Sequence, residues 1–188
     1  MKSDDDMFVN IPAIMNVIRS KDLRRSIIGR SDVKTGVRVR RRGKWALSPA
    51  EYPFDNYPTY MFGSIYLISA DLLRPLLNAS YFVPHVWIED VYITGILAEI
   101  VGARQVSIDA SEIWLRGKPS SCDVLGGHLL AGHVTSAHQR QIWKNFTTSI
   151  RVTCNHATNA SDSSLLEFVR FTNFVIIIII TITIMIIV

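Results

Sequence analysis

The sequence predicts an α/β fold, and three stretches carry that prediction. Ile11, Ile14, Met15 and Ile18 recur on one face of a helix. Tyr60-Met61-Phe62-Gly63-Ser64-Ile65-Tyr66-Leu67-Ile68 reads as a buried strand. Ile93, Ile96, Leu97 and Ile100 return to helical spacing just after an acidic pair, Glu89-Asp90. Helical and strand-like segments thus alternate along 188 residues, a length that suits one domain.

The elements follow in order. Asp4-Asp5-Asp6 runs straight into the strand-like Met7-Phe8-Val9. In extended chain, carboxylates at i and i+2 point to one side, so Asp4 and Asp6 are expected to address one cation. Hard oxygen ligands of this kind suit Mg²⁺ or Mn²⁺ carrying a diphosphate. A solvated acidic run is the plainer reading; the apolar residues that follow argue that this one is held against a core. Asn10 is placed to cap the first helix, with Pro12 in its first turn. Basic residues from Arg19 to Arg25 suit its C-terminal end.

Val37 to Ala46 alternates apolar and basic residues and predicts a hairpin arm turning at Gly43. Its charge is either a solvated edge or an attraction for an anionic substrate. A loop rich in Pro, Asp and Asn fills Pro49 to Pro58. In the strand candidate, Gly63 signals a bend or a close backbone approach. Ser69 or Asp71 is expected to cap a short helix, Leu72 to Asn78. Glu89 and Asp90 then lie at the start of the next helix, where capping alone would explain them. Val106 to Ile108 is a further strand candidate, and Ser136 is expected to cap a last helix through Trp143 to Phe146.

Hydrophobic residues make up 48% of the chain, unevenly spread. The net charge of +4 comes largely from Arg38 to Lys44 and does not point to nucleic acid. Two cysteines, Cys122 and Cys154, are too few for a disulfide scaffold and lack metal-site spacing. Three Asn-X-Ser/Thr tripeptides, at Asn78, Asn145 and Asn159, point to the secretory lumen, although no signal peptide opens the chain. Asn155 to Ser164 is polar. Phe174 to Val188 is wholly uncharged and apolar apart from threonine. As a helix these fifteen residues span about 22 Å, short of a hydrocarbon core of roughly 30 Å. A marginal membrane anchor, extended by Phe168 to Asn173, and an aggregation-prone strand are both open readings. Gly126-Gly127 lacks the Walker pattern that a phosphotransferase would need.

Four blocks, in order, carry a resemblance: Lys2-Ser3-Asp4-Asp5-Asp6-Met7-Phe8-Val9-Asn10; Tyr57-Pro58-Thr59-Tyr60-Met61-Phe62-Gly63-Ser64-Ile65-Tyr66-Leu67-Ile68-Ser69, preceded by Lys44-Trp45; Glu89-Asp90-Val91-Tyr92-Ile93-Thr94-Gly95; and His133. They resemble the DxD, YPxYxxGxxYxxS, EDVxxG and late-histidine signatures of family 31 glycosyltransferases, the β-1,3-galactosyl- and N-acetylglucosaminyltransferases. The resemblance covers about residues 1 to 146. It implies a GT-A fold, a Rossmann-like α/β layer that binds a UDP-sugar through Mn²⁺ or Mg²⁺. It also implies an inverting transfer of galactose or N-acetylglucosamine to a glycan acceptor on a glycoprotein or glycolipid.

Carried over by position, Asp90 is the base. Asp6 is the principal metal ligand, Asp4 and Asp5 lie near ribose, diphosphate or metal, and His133 lies near diphosphate or metal. Gly63 lines the donor or acceptor pocket; for Tyr60, pocket lining and strand packing stay open. The implied setting is the lumenal side of the Golgi membrane. The family's domain begins well before its DxD, so residues 1–150 are expected to be the C-terminal part of a GT-A domain. A polar linker (151–170) and an apolar tail (171–188) would follow. The alternative is a truncated, non-catalytic, membrane-associated relative.

Overall fold

A computed structural model of the chain describes residues 1–20, 22–31, 36–109, 113–114, 130–132 and 134–147. His133, Asn159, both cysteines, the polar linker and the apolar tail lie outside the described residues. Among those described, no helix is long and apolar enough to cross a membrane.

The architecture is mixed α/β, organised on a four-stranded sheet. Its strands are β1 (Lys2–Ser3), β3 (Ser26–Gly29), β4 (Ile65–Ile68) and β5 (Arg104–Ser107), in the order β1-β4-β3-β5. β4 is antiparallel to both neighbours, and β3 is parallel to β5. A second, three-stranded sheet joins β2 (Phe8–Val9), β6 (Ile113–Trp114) and β7 (Leu130–Ala131) in the order β2-β7-β6.

β3 is central and fully buried, yet sequence reasoning passes over it. Four residues, Ser-Ile-Ile-Gly, are too few to show a period. Its side chains alternate across the sheet as strand geometry requires. Ile27 joins a core with Met61, Tyr66, Leu72, Leu76, Val91 and Leu97. Ile28 joins another with Met7, Ile14, Ile65 and Ile108. Helices therefore cover both faces. Burying each isoleucine contributes about 1.5–3 kcal/mol.

The first helix, α1 (Ile11–Ser20), begins as expected, with Asn10 Oδ1 accepting the Ala13 N–H at 3.2 Å and Ile14 buried. The helix α2 (Ala70–Ser80) begins two residues earlier than predicted. Ser69 occupies its N-cap position without a side-chain cap bond. Its hydroxyl instead accepts the Ser26 N–H and donates to Asp71. The last helix, α4 (Ser136–Thr147), matches the predicted span, but Ser136 is its first residue and the Thr135 hydroxyl, accepting the His138 N–H at 3.4 Å, takes the capping place.

The predicted hairpin arm is not a hairpin of regular strands. One bridge, Arg38 to Asn56, ties it to the Pro-rich loop. Arg41 explains the difference. Its guanidinium donates to the Leu47, Tyr52 and Phe54 carbonyls at 3.0, 2.8 and 2.7 Å. One of the arm's charges thus holds the loop itself.

The helix after Glu89-Asp90 also differs in phase. Val91–Leu97 is π-helical, continued by α3 (Ala98–Ile100). The buried positions are Val91, Tyr92, Thr94, Gly95, Leu97 and Ala98, while Ile100 is 57% exposed. An α-helical period therefore finds only part of the buried face: Leu97 is buried and Ile93 and Ile96 pack half-buried against the core, while Thr94 and Gly95 are missed. The π segment brings Thr94 and Gly95 inward, where the Tyr60 β-carbon packs 3.1 Å from where a Gly95 side chain would begin.

Candidate active site

The acidic motifs converge through the sheet. β1 pairs with β4 so that Lys2 lies opposite Tyr66 and Ser3 opposite Ile65. Directly opposed residues share one face. Here both side chains reach Glu89: the Tyr66 phenol donates to its carboxylate, and the Lys2 ammonium lies 4.0 Å from it. The same ammonium pairs with Asp4 at 2.6 Å and donates to the Gly63 carbonyl. Burial pushes the Tyr66 phenol well above its ordinary range, and the bond to Glu89 adds to this. Tyr66 thus stays a neutral donor.

Asp90 sits where the strand end meets the helix start. Its Oδ2 accepts the Gly63 N–H at 2.8 Å, and its Oδ1 accepts the Val91 N–H at 2.9 Å. A β-carbon on residue 63 would lie 3.0 Å from Oδ2, so any larger residue would have to displace the carboxylate from this approach. Behind it, the Thr94 hydroxyl donates to the Asp90 carbonyl at 2.6 Å and accepts the Met61 N–H at 2.8 Å. Two backbone donors and a buried hydroxyl thus fix a half-buried carboxylate that remains accessible to a ligand.

The acidic stretch is not extended. Asp5 and Asp6 form a turn, closed by Met7 N–H to the Asp4 carbonyl at 3.3 Å. The same-side argument for Asp4 and Asp6 therefore does not apply. The turn is pinned from α4 and the residues just before it: Gln139 Nε2 donates to the Asp5 carbonyl at 2.7 Å, and Val134 N–H donates to the Asp6 carbonyl at 2.8 Å. Asp4 and Asp5 are exposed and Asp6 is half-buried. Among the described residues, no three His, Cys, Asp or Glu side chains gather around one point.

The structure therefore brings Asp4, Gly63, Glu89 and Asp90 into one neighbourhood. Lys2, Tyr66 and Gln139 join them without having been singled out. Tyr66 belongs to the YPxYxxGxxYxxS block, but its role follows from strand register, which one sequence does not show. Tyr60 is half-buried and packs edge-on against Tyr57 and Phe62, which favours the packing reading. Asn78 is exposed near the end of α2, while Asn145 is half-buried on α4 and accepts from Gln141 at 2.9 Å.

Comparison with known proteins bears on this geometry. The family described as Galactosyltransferase matches residues 1–109. β-1,3-Galactosyltransferase 5 of Homo sapiens is 29% identical over 118 residues, covering 62% of this chain and 38% of that protein. The Mus musculus protein of the same name is 32% identical over 101 residues, 53% of this chain and 33% of that protein. β-1,3-Galactosyltransferase 2 of Homo sapiens is 32% identical over 107 residues, 53% of this chain and 24% of that protein. The chain spans at most about two fifths of the length of these relatives.

Proposed function

The chain belongs to the galactosyltransferase family, and from that premise we propose that it forms the C-terminal part of an inverting β-1,3-hexosyltransferase with a GT-A fold. The donor is a UDP-sugar carrying galactose or N-acetylglucosamine, and the acceptor is a glycan on a glycoprotein or glycolipid. The observation that carries the proposal is the Asp90 carboxylate, held by the Gly63 and Val91 N–H groups beside the acidic turn.

In this reading Asp90 is the general base. It takes the proton from an acceptor hydroxyl, whose oxygen attacks the anomeric carbon opposite the leaving UDP. A positioned base contributes roughly 10²–10⁴-fold. Lys2, Tyr66 and Glu89 line the region between base and acidic turn, with the Tyr66 phenol and the Lys2 ammonium both engaging the Glu89 carboxylate.

A divalent cation fits the donor chemistry of the turn. Carboxylate oxygens suit Mn²⁺ or Mg²⁺, and the described residues offer them at Asp4, Asp5 and Asp6. With no trio gathered on one point, the protein would supply part of a coordination shell. Substrate phosphate oxygens ordinarily supply the rest for such ions. The family resemblance assigns the ion to Asp6 and Asp4, with His133 as a further ligand and Asp5 near the donor. When bound, the ion neutralises charge on the diphosphate. A lumenal Golgi location, implied by the family resemblance, completes the reading, with membrane attachment through the apolar tail and glycosylation at Asn78, Asn145 and Asn159 supported by sequence pattern.

The test is hexose transfer from UDP-galactose and UDP-N-acetylglucosamine to β-linked saccharide acceptors with Mn²⁺, comparing the chain with Asp90→Asn. Transfer is expected to fall at least a hundredfold in the variant. Retained transfer would remove Asp90 from the base role. If the wild-type chain neither transfers sugar nor binds UDP with Mn²⁺ in calorimetry, the non-catalytic alternative holds.

A further inference from the structure

Two tryptophans that the transfer chemistry leaves unused stand beside the site. Trp45 comes from the basic arm and Trp87 from the residues just before Glu89-Asp90. Their rings stack at 5.8 Å between centroids and 16° between planes. The Lys44 ammonium lies 4.7 Å from the centre of the Trp45 ring. Both indoles are nevertheless 44% exposed. Large aromatic rings stacked on each other, and still open to water, form a rigid flat surface that loses little freedom when something binds.

Position limits what that surface can serve. Trp87 precedes Asp90 by three residues, so their α-carbons are at most about 11 Å apart. One or two pyranose rings span such a distance. A pyranose such as β-galactose presents a continuous face of C–H groups, which packs on an indole, while its rim of hydroxyls needs donors and acceptors. The Lys44 ammonium, standing over the Trp45 ring, supplies a donor beside the stack.

We propose that the Trp45–Trp87 stack is a saccharide platform that seats the acceptor glycan, with a neutral β-linked pyranoside laid on the indole surface and its chain end directed to Asp90. The proposal rests on the transferase reading for its direction and on the stack itself for its chemistry. It assigns Trp45 and Trp87 to acceptor specificity; they take no part in proton transfer.

The experiment uses the 188-residue chain with methyl β-D-galactopyranoside and N-acetyllactosamine as probes. Saturation-transfer NMR reads which sugar protons touch the protein, and titration of tryptophan fluorescence reads affinity. Saturation is expected to be strongest at the C–H face, H3, H4 and H5. Trp87→Ala or Trp45→Ala is expected to weaken binding roughly tenfold, whereas Trp87→Phe, which keeps a ring, stays within about threefold.

Unchanged saccharide affinity in a folded Trp45→Ala/Trp87→Ala double variant, verified by circular dichroism, would overturn the platform. So would an absence of saturation transfer from wild type, and binding of a protein partner in place of the sugars would redirect the surface to that partner. Saccharide binding at the stack without any transfer would sink the catalytic reading and leave the platform standing. Transfer with an acceptor KM indifferent to both tryptophans would do the reverse.

Discussion

Gly63 shows how little room the Asp90 carboxylate has. The glycine N–H donates to Oδ2 at 2.8 Å, and an added β-carbon would lie 3.0 Å from that same oxygen. Gly63→Ala is therefore expected to push the carboxylate aside by a few tenths of an ångström. Misplacing a reacting group costs rate more than stability, so kcat/KM should fall roughly ten- to hundredfold with the fold retained. Steady-state transfer assays beside thermal melts check this; an alanine variant with wild-type rates would mean that Asp90 tolerates displacement. Tyr66 supports a second expectation. Its folded pKa is raised, first by burial and then by the bond to Glu89. The stability it contributes is fully present below the unfolded phenol value near 10 and is lost as pH rises toward the folded value. Melts from pH 8 to 11 should show Tyr66→Phe losing less stability with rising pH than wild type. Parallel curves would show that the phenol is not linked to folding. Asp90 and Gly63 were both legible in sequence, because their motifs are local. The Lys2–Tyr66–Glu89 contacts were not, because they depend on the pairing of β1 with β4.

The segment Val91–Leu97 is where local pattern misleads most. Sequence spacing favours Ile93, Ile96, Leu97 and Ile100 as the buried face; Leu97 is buried and Ile93 and Ile96 pack half-buried against the core, yet Ile100 is exposed and Thr94 and Gly95 lie inside. An α-helical period assumes i→i+4 bonding, and the π segment shifts the phase. Thr94 accounts for what the buried polar group does there. Its hydroxyl is fully buried, donates to the Asp90 carbonyl and accepts the Met61 N–H. Thr94→Val keeps the shape and removes both bonds. Leaving a buried N–H without its partner costs about 1–3 kcal/mol, so urea unfolding should show a loss of that size. Because Met61 lies two residues before Gly63, transfer should fall as well. A neutral Thr94→Val would show that the hydroxyl bonds contribute nothing net. Helices α1 and α4 were legible by contrast, since a capping residue and an apolar period both pointed to them.

The whole molecule places its chemistry on one face of a sheet whose centre is hidden in the sequence. Helix and strand classes were readable from period and capping. The central strand was not, since Ser26–Gly29 shows neither alternation nor length. What makes it central is pairing with β4 on one side and β5 on the other. That position gives its two isoleucines different duties. Ile27 packs with Met61, Tyr66 and Val91, the layer that carries Gly63 and Asp90. Ile28 packs with Ile14, Ile65 and Ile108, the layer under α1. Each is nearly or completely buried. Truncating either to alanine should cost about 2–5 kcal/mol through lost burial and the cavity left behind. The consequences for the site should differ. Ile27→Ala loosens the core beneath the Asp90 carboxylate, so the Gly63 amide resonance should shift and its exchange protection fall. Ile28→Ala should unfold at a similarly lowered urea midpoint while leaving that amide near its wild-type position. Nitrogen–proton correlation spectra of the two variants decide the matter. Equal perturbation of the Gly63 amide by both would mean that the two layers respond as one core.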